Sequence, residues 1–439
     1  MFKRLSIVAL LTGCSQLIAL AAIGFATRIF DASTIGRIGT IESSALLIIS
    51  IVSFGLQLAT NRDILINKNW SLYFEQGQKA RVTMSVILFP AGCLYWFTGD
   101  IAYLLFFISP IIALNGDYAL YGCGFSEYAS GISLFRVLIP STTLIICSMV
   151  HSQQIVSFYA VGMISGIFMA GYLSSLKLNT RYWFFPKLQS LKYYFDSFKL
   201  GIGSVSLTIM GSGLILISNH FYELNEVGEA YLGIKLFIIY KGVRRIIIQA
   251  FFSDLKEPSN ALMVDRLNIV IGIFGGALFI FYPTFVINIF YGEASIGLNS
   301  VIQLVGIAIL LSSLTSVAET IIMLNKMDLA YCITNISSML ISVLSVIVSS
   351  IILPKSVGIL VGVVIGEVSF FFFLAHFLGY SDFFLKRIEI FLGNAFVFIV
   401  PPVCISLVED RVLKIVLPLF IMFILLGVIN KNIITWKKS

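Results

Sequence analysis

A chain of 439 residues with 58% hydrophobic and 12% charged residues and a mean hydropathy of +0.98 is too apolar for a water-soluble protein, in which charged residues run near about 25%. It reads as an all-α polytopic membrane protein, which excludes most enzymes that house their chemistry in a large globular loop. The net charge of +7 would suit a nucleic acid, yet the basic residues are partitioned by membrane side and form no single patch, so no nucleic-acid partner is expected.

The chain opens with Met1 to Cys14, whose basic start, short apolar core and Leu11-Thr12-Gly13-Cys14 are similar to a bacterial lipobox. A cleaved signal has only about 7 to 15 apolar residues, and this run continues to Thr27. The first helix is therefore expected to stay attached.

Crossing a hydrocarbon core roughly 30 Å thick takes about 20 apolar residues. Fourteen runs meet that need, near 6–27, 43–61, 82–99, 101–121, 134–151, 154–175, 200–219, 230–252, 267–290, 299–323, 330–353, 356–378, 388–408 and 412–430. Arg28 closes the first span, and Ile35-Gly36-Arg37 is read as part of a tight outer loop. The longest loop, 175–199, is basic and aromatic and separates spans 1 to 6 from spans 7 to 12. The predicted organisation is an N-terminal six-helix lobe (1–175), a basic cytoplasmic linker (176–199), a C-terminal six-helix lobe (200–378) and two additional helices (379–439).

A faint repeat supports two pseudo-symmetric lobes. Ile35-Gly36-Arg37 matches Val227-Gly228-Glu229 at an offset of 192 positions, which sets Arg28 opposite His220 and Arg62 opposite Asp254. Duplicated halves are a common plan of secondary transporters, which bind substrate between them. With a cytoplasmic N-terminus, the inner ends and loops carry twenty of the 29 Lys and Arg residues, the outer ones five, and the eighth span four (Lys235, Lys241, Arg244, Arg245). That bias follows the positive-inside rule and puts both termini in the cytoplasm.

The catalogue of catalytic motifs is empty. The chain has no phosphate-binding Gly-Lys-Ser/Thr loop, no His-Glu-x-x-His and no nucleophile elbow. Its three histidines (151, 220, 376) are far apart in sequence, and its six cysteines (14, 93, 123, 147, 332, 404) make no C-x-x-C pair. Neither an enzyme nor a metal site is expected.

Charges inside spans are the remaining functional signal. A Lys or Arg at a helix centre costs about 2.5 to 3.5 kcal/mol on insertion scales, so the eighth span should face water or protein. Lys241, Arg244 and Arg245 fall at i, i+3 and i+4 on one helical face, and Lys235 lies roughly 9 Å away along the axis. Two readings stand: these cations line a wet cavity, or they snorkel to the interface. Arg28 and Arg62, at span ends, are either anchors or parts of a basic lumen that suits phosphate or pyrophosphate. The carboxylates Asp117, Glu319 and Glu367 are candidates for H+ or Na+ coupling, against the alternative of a protonated acid bonded between helices. No other cofactor is expected.

Arg28, Gly36 and Phe54-Gly55-Leu56-Gln57-Leu58-Ala59-Thr60-Asn61-Arg62, with Val227-Gly228-x-x-Tyr231 and Lys235-Leu236, resemble the polysaccharide-exporter family of bacterial flippases. That family, of the MATE-like (MOP) superfamily, moves O-antigen and capsule repeat units. The chain departs from the pattern at His220, where many relatives carry an acidic residue, which puts an ion role there in doubt. The resemblance implies a MATE-like fold and a cell inner membrane location. It implies alternating-access transport of undecaprenyl-pyrophosphate-linked oligosaccharide from the cytoplasmic to the periplasmic leaflet, in lipopolysaccharide or other polysaccharide biosynthesis. It further implies that Arg28, Arg62, Lys241 and Arg244 hold the anionic head group, with Lys235 beside them. Its partners would be membrane lipid and the polysaccharide polymerase and chain-length machinery. Two other readings remain: a MATE-type exporter of cationic drugs or metabolites, which the basic eighth span disfavours, and a multi-span polymerase or acyltransferase, for which no large loop or His/Asp cluster is visible.

Overall fold

The computed structural model describes residues 2–57, 59–60, 70–99, 101–250, 255, 257–292, 298–353, 356–379, 385–407 and 413–429. Among these every regular element is a helix, and twelve are long and apolar enough to cross a membrane. The chain is a multi-pass membrane protein. Two of the fourteen expected spans fall outside that dozen. Helix Leu224–Ala250 carries six charged residues, and Leu413–Ile429 has only 17 residues.

Helix α1 spans Phe2–Thr27, and α2 spans Ala32–Ser53, starting well before residue 43. The cause is a cap. Asp31 accepts the Thr34 backbone N–H at 3.2 Å and the Ser33 hydroxyl at 2.6 Å, satisfying donors that a helix start leaves open. Ile35-Gly36-Arg37 therefore lies inside a helix and is no outer turn. Helix α2 ends at Phe54, in the left-handed region at φ 38°. The next residue, at φ 73°, must be glycine: a Cβ on Gly55 would sit 2.7 Å from the Gly201 backbone nitrogen.

The hydroxyl and amide donors around Asp31 hold its carboxyl below the usual value. A lowered carboxylate stabilises the fold above its unfolded value and loses that contribution as pH falls through the folded one. Asp31→Ala should thus cost about 1 kcal/mol at neutral pH and less once carboxylates are protonated. Melting temperatures of the two proteins under both conditions check this.

Helix α3 spans Trp70–Leu88. The next crossing is broken into a 3-10 segment Ile101–Ile108, α4 (Ser109–Ala113) and α5 (Asp117–Gly122). A break inside a membrane strands backbone carbonyls, and these must find donors. Two side chains of α3 supply them. Gln78 donates to Leu114 O at 3.1 Å, and Arg81 donates to Asn115 O and, at 3.5 Å, to Ile112 O. Arg81 is 1% exposed, holds Gln78 Oε1 at 2.8 Å and lies over the Tyr118 ring at 5.2 Å. Although it counts toward the inner-side charge in the sequence, its position is that of a helix-end cap.

The chain continues through α6 (Ser126–Met149), α7 (Ile155–Leu178) and α8 (Phe198–Thr208), which passes through a π turn at Ile209–Gly213 into Leu214–Ser218. Then come α9 (Leu224–Ala250), α10 (Pro258–Phe281), α11 (Pro283–Phe290), α12 (Leu298–Leu324), α13 (Asp328–Ile352) and α14 (Val357–Leu378). The last are α15 (Lys386–Ala395), α16 (Val400–Leu407) and α17 (Leu413–Ile429).

By packing, the chain divides into unit 1, Met1–Tyr231 with Tyr331–Met339, and unit 2, Leu232–Ala330 with Leu340–Ser439. Within unit 1 the two echoing motifs meet. A Cβ on Gly36 would lie 2.5 Å from Leu224 O, and one on Gly228 would lie 1.9 Å from Ala32 O. Ala32 and Leu224 share the 192-residue offset of the glycines, so the contact is reciprocal, as at a two-fold axis. In unit 2, α12 is the central element, flanked by α10 and α14. Gly276 and Gly306 let α10 and α12 close to within about one atom of each other's backbone: a Cβ on either would lie 3.0 or 2.9 Å from the other's carbonyl oxygen. Small residues at the crossing are what brings helices together where lipid removes the hydrophobic drive.

Candidate functional site: ion pairs inside the helical units

In unit 2 the basic face of α9 meets two acids. Lys241 Nζ is 2.6 Å from Glu367 Oε1 of α14 and 4.5 Å from the Phe237 ring centroid. Arg244 donates to both the carbonyl and the hydroxyl of Ser312, each at 2.6 Å, and lies 3.7 Å from Glu319 Oε2, also of α12. The Glu367 side chain is 2% exposed and that of Lys241 24%. Lys235, two turns back along α9, is buried at 7%. Arg245 points elsewhere: it is exposed, so the shared helical face expected from i, i+3 and i+4 spacing unites only Lys241 and Arg244.

The sequence places cations and carboxylates in separate roles, and the structure joins them. Lys241 and Arg244, candidates for an anionic head group, are the partners of Glu367 and Glu319, candidates for ion coupling. The third acid behaves alike: Asp117 of α5 pairs with Arg136 of α6 at 2.9 Å in unit 1. Two cations against two carboxylates leave the α9 cluster nearly neutral, so an added anion must compete with a resident acid. Of the remaining candidates, Arg28 is exposed in the turn after α1. Arg62, and Asp254 in the repeat, lie outside the described residues.

Two polar centres escape a reading of apolar runs. Glu42 falls before residue 43 in that reading, but the Asp31 cap moves it into the middle of α2. There the hydroxyls of Tyr159, at 3.2 Å, and Tyr231 both donate to its Oε2. The capping pattern at Asp31 was the available signal. The other is Arg387 of α15, paired with Asp265 of α10, both nearly fully buried. In sequence Arg387 looks like an ordinary inner-side cation. Buried against α10, it ties the first of the extra C-terminal helices to unit 2. Among the described residues no group of three or more His, Cys, Asp and Glu could hold a metal.

Comparison with known proteins rests on structure alone, since no protein-family model and no curated protein matches the chain. One similar solved structure is the lipid II flippase MurJ in an inward closed conformation: TM-score 0.67, 13% identity, covering 97% of this chain and 99% of that one. A multidrug resistance MATE family transporter of the MOP superfamily, inward-facing, gives 0.62 and 15%, covering 88% of this chain and 98% of that one. A MOP superfamily transporter from Pyrococcus furiosus, described as having a binding pocket of reverse polarity that suggests a different function, gives 0.55 and 15%, covering 88% and 94%. The chain shares the fold of these structures. At these identities the likeness is one of fold.

Proposed function

We propose that this protein is a flippase that carries an undecaprenyl-pyrophosphate-linked oligosaccharide, an O-antigen or capsule repeat unit, from the cytoplasmic to the periplasmic leaflet of a bacterial inner membrane by alternating access. The observation that carries this reading is end-to-end agreement with a flippase of a lipid-linked substrate. That structure covers 97% of the chain, against 88% for the multidrug transporter. The cation content of α9 supports the same reading, because Arg and Lys bind phosphate oxygens by charge-assisted hydrogen bonds.

Lys241 and Arg244 serve the head group through exchange. Each is held in the resting protein by a carboxylate, and a pyrophosphate, with more negative charge and more acceptor oxygens, displaces it. A proton or Na+ taken up by Glu367 or Glu319 occupies the displaced acid, and this links cargo to ion. Asp117 with Arg136 is a third pair of the same kind. Polysaccharide polymerase and chain-length machinery are the partners that consume the product.

A second reading, export of organic cations, is favoured by one feature, the Glu42 carboxylate beside Tyr159 and Tyr231, since carboxylates and aromatic faces suit cationic ligands. One experiment separates the two. Purified protein in vesicles should move a fluorescent oligosaccharide on undecaprenyl pyrophosphate between leaflets and leave the same oligosaccharide on neutral undecaprenol in place. Equal movement of both lipids, or movement of a cationic dye alone, would overturn the proposal.

A further inference from the structure

The segment 179–197 joins two candidate spans, Ile155–Leu178 and Phe198–Ser218, so both of its ends leave the membrane at one face. It has no long helix of its own, only a 3-10 turn Leu188–Leu191 and a short turn Lys192–Asp196. Its inner side is nevertheless fastened. Phe184 is buried edge-on against Phe74 at 6.1 Å, the Lys187 backbone N–H donates to Thr83 Oγ1 at 2.8 Å, and the Tyr193 and Tyr194 hydroxyls reach Gln76 and Val52 O.

With the inner side fixed, the alternate side chains are forced outward. Burial alternates after the bend at residue 182: Phe184 goes in while Trp183 and Phe185 face out at 62% and 84% exposure. Leu188, Phe195 and Phe198 are also outward, at 76%, 75% and 50%. Among and beside them stand exposed Arg181, Lys187, Lys192 and, in the first turn of α8, Lys199, against a single acid, Asp196. Ordered aromatics held out toward solvent are unfavourable in water. Rings interleaved with cations at the mouth of a span match the headgroup layer, where apolar bodies sink toward the acyl chains and ammonium groups stay wet.

We propose that this segment is a docking surface for acidic phospholipid of the leaflet it faces, with Trp183, Phe185 and Phe195 seated at the acyl boundary and Lys187, Lys192 and Lys199 on the lipid phosphates. A zwitterionic headgroup would satisfy the rings and leave the excess positive charge without a counterpart. The surface therefore selects lipid by charge, independently of any cargo.

The test uses the full chain with Trp70, Trp96 and Trp436 replaced by Phe, leaving Trp183 as the only tryptophan, excited at the red edge where tyrosine does not absorb. It is placed in vesicles of phosphatidylcholine and phosphatidylglycerol with bromine on the upper acyl carbons of one lipid or the other. Bromine on phosphatidylglycerol should quench Trp183 more than the same mole fraction of bromine on phosphatidylcholine. Each Lys→Gln exchange at 187, 192 or 199 should lower that preference about fivefold while total quenching by the two lipids persists. Equal quenching by both lipids in the unmodified segment overturns the proposal, and so does Trp183 open to acrylamide and untouched by either lipid. The comparison of the two brominated lipids needs no Lys variant, so it decides the matter even if those variants fail to fold.

Discussion

Gly228→Ala is expected to abolish the monodisperse, folded protein. The added Cβ would stand 1.9 Å from Ala32 O and 2.9 Å from Ala32 C, which are backbone atoms with no rotamer to move. The two helices would have to separate by more than an ångström. Overpacking in a tight core costs about 1 to 3 kcal/mol even when side chains can yield, so about 3 kcal/mol or more is the expected loss, against a total stability of about 5 to 15 kcal/mol. Gly36→Ala should be nearly as severe, since its Cβ would meet Leu224 O at 2.5 Å. Gly13 and Gly131 are the controls: nothing lies within 4 Å of a Cβ at either, and alanine there should leave stability unchanged or raise it by up to about 1 kcal/mol through helix propensity. Melting curves and size-exclusion profiles in detergent of the four variants decide the point. Parental behaviour of Gly228→Ala would mean that α2 and α9 do not cross there.

That crossing also marks what a sequence of this kind discloses. The 192-residue offset is visible as the match of Ile35-Gly36-Arg37 to Val227-Gly228-Glu229, yet pattern alone places the first of these in an outer turn. Apolar-run counting locates hydrocarbon and is blind to helix ends that project beyond it. Helix α2 begins eleven residues before its apolar run because Asp31 caps it, and α3 begins at Trp70 while its apolar run begins near residue 82. The all-helical, many-span class was legible because composition and run length dictate it in a bilayer.

The polar interior was legible in residue type and hidden in partnership. Lys241, Arg244, Glu319 and Glu367 all stand out as charges inside spans, but α9, α12 and α14 are separated by scores of residues, and pairing across them has no local signature. Arg81 and Arg387 show the opposite failure. Each lies near a span end, where a cation ordinarily reports membrane orientation, and each is instead buried, one capping broken-helix carbonyls and one on Asp265. Long side chains on projecting helix ends can fold back into protein, so the charge count fixes a bias between faces without assigning any single residue to water.

The pair Lys241–Glu367 separates a structural role from a transport role most sharply. Removing one partner of a buried pair leaves an uncompensated charge and costs about 3 to 5 kcal/mol. Lys241 is 24% exposed, so Glu367→Leu, which strands the ammonium, should fall at the lower end, about 3 kcal/mol. Lys241→Met strands a carboxylate that is 2% exposed among the side chains of α14 and should cost at least as much. The double variant Lys241→Met, Glu367→Leu has no stranded charge, and apolar replacement of a whole buried pair is often neutral or stabilising. Its melting temperature should return to the parental value, and the coupling free energy across the cycle, equal to the sum of the two single costs, should reach about 6 kcal/mol. Transport should not return with it. If the ammonium is lent to a phosphorylated cargo and the carboxylate to a coupling ion, a well-folded double variant still lacks both, and its flipping of pyrophosphate-linked oligosaccharide in vesicles should fall at least tenfold, which is about 1.4 kcal/mol or more in the transport barrier. Parental transport by that stable double variant would reduce the pair to a packing element and move the search for the head-group site away from this stretch of α9.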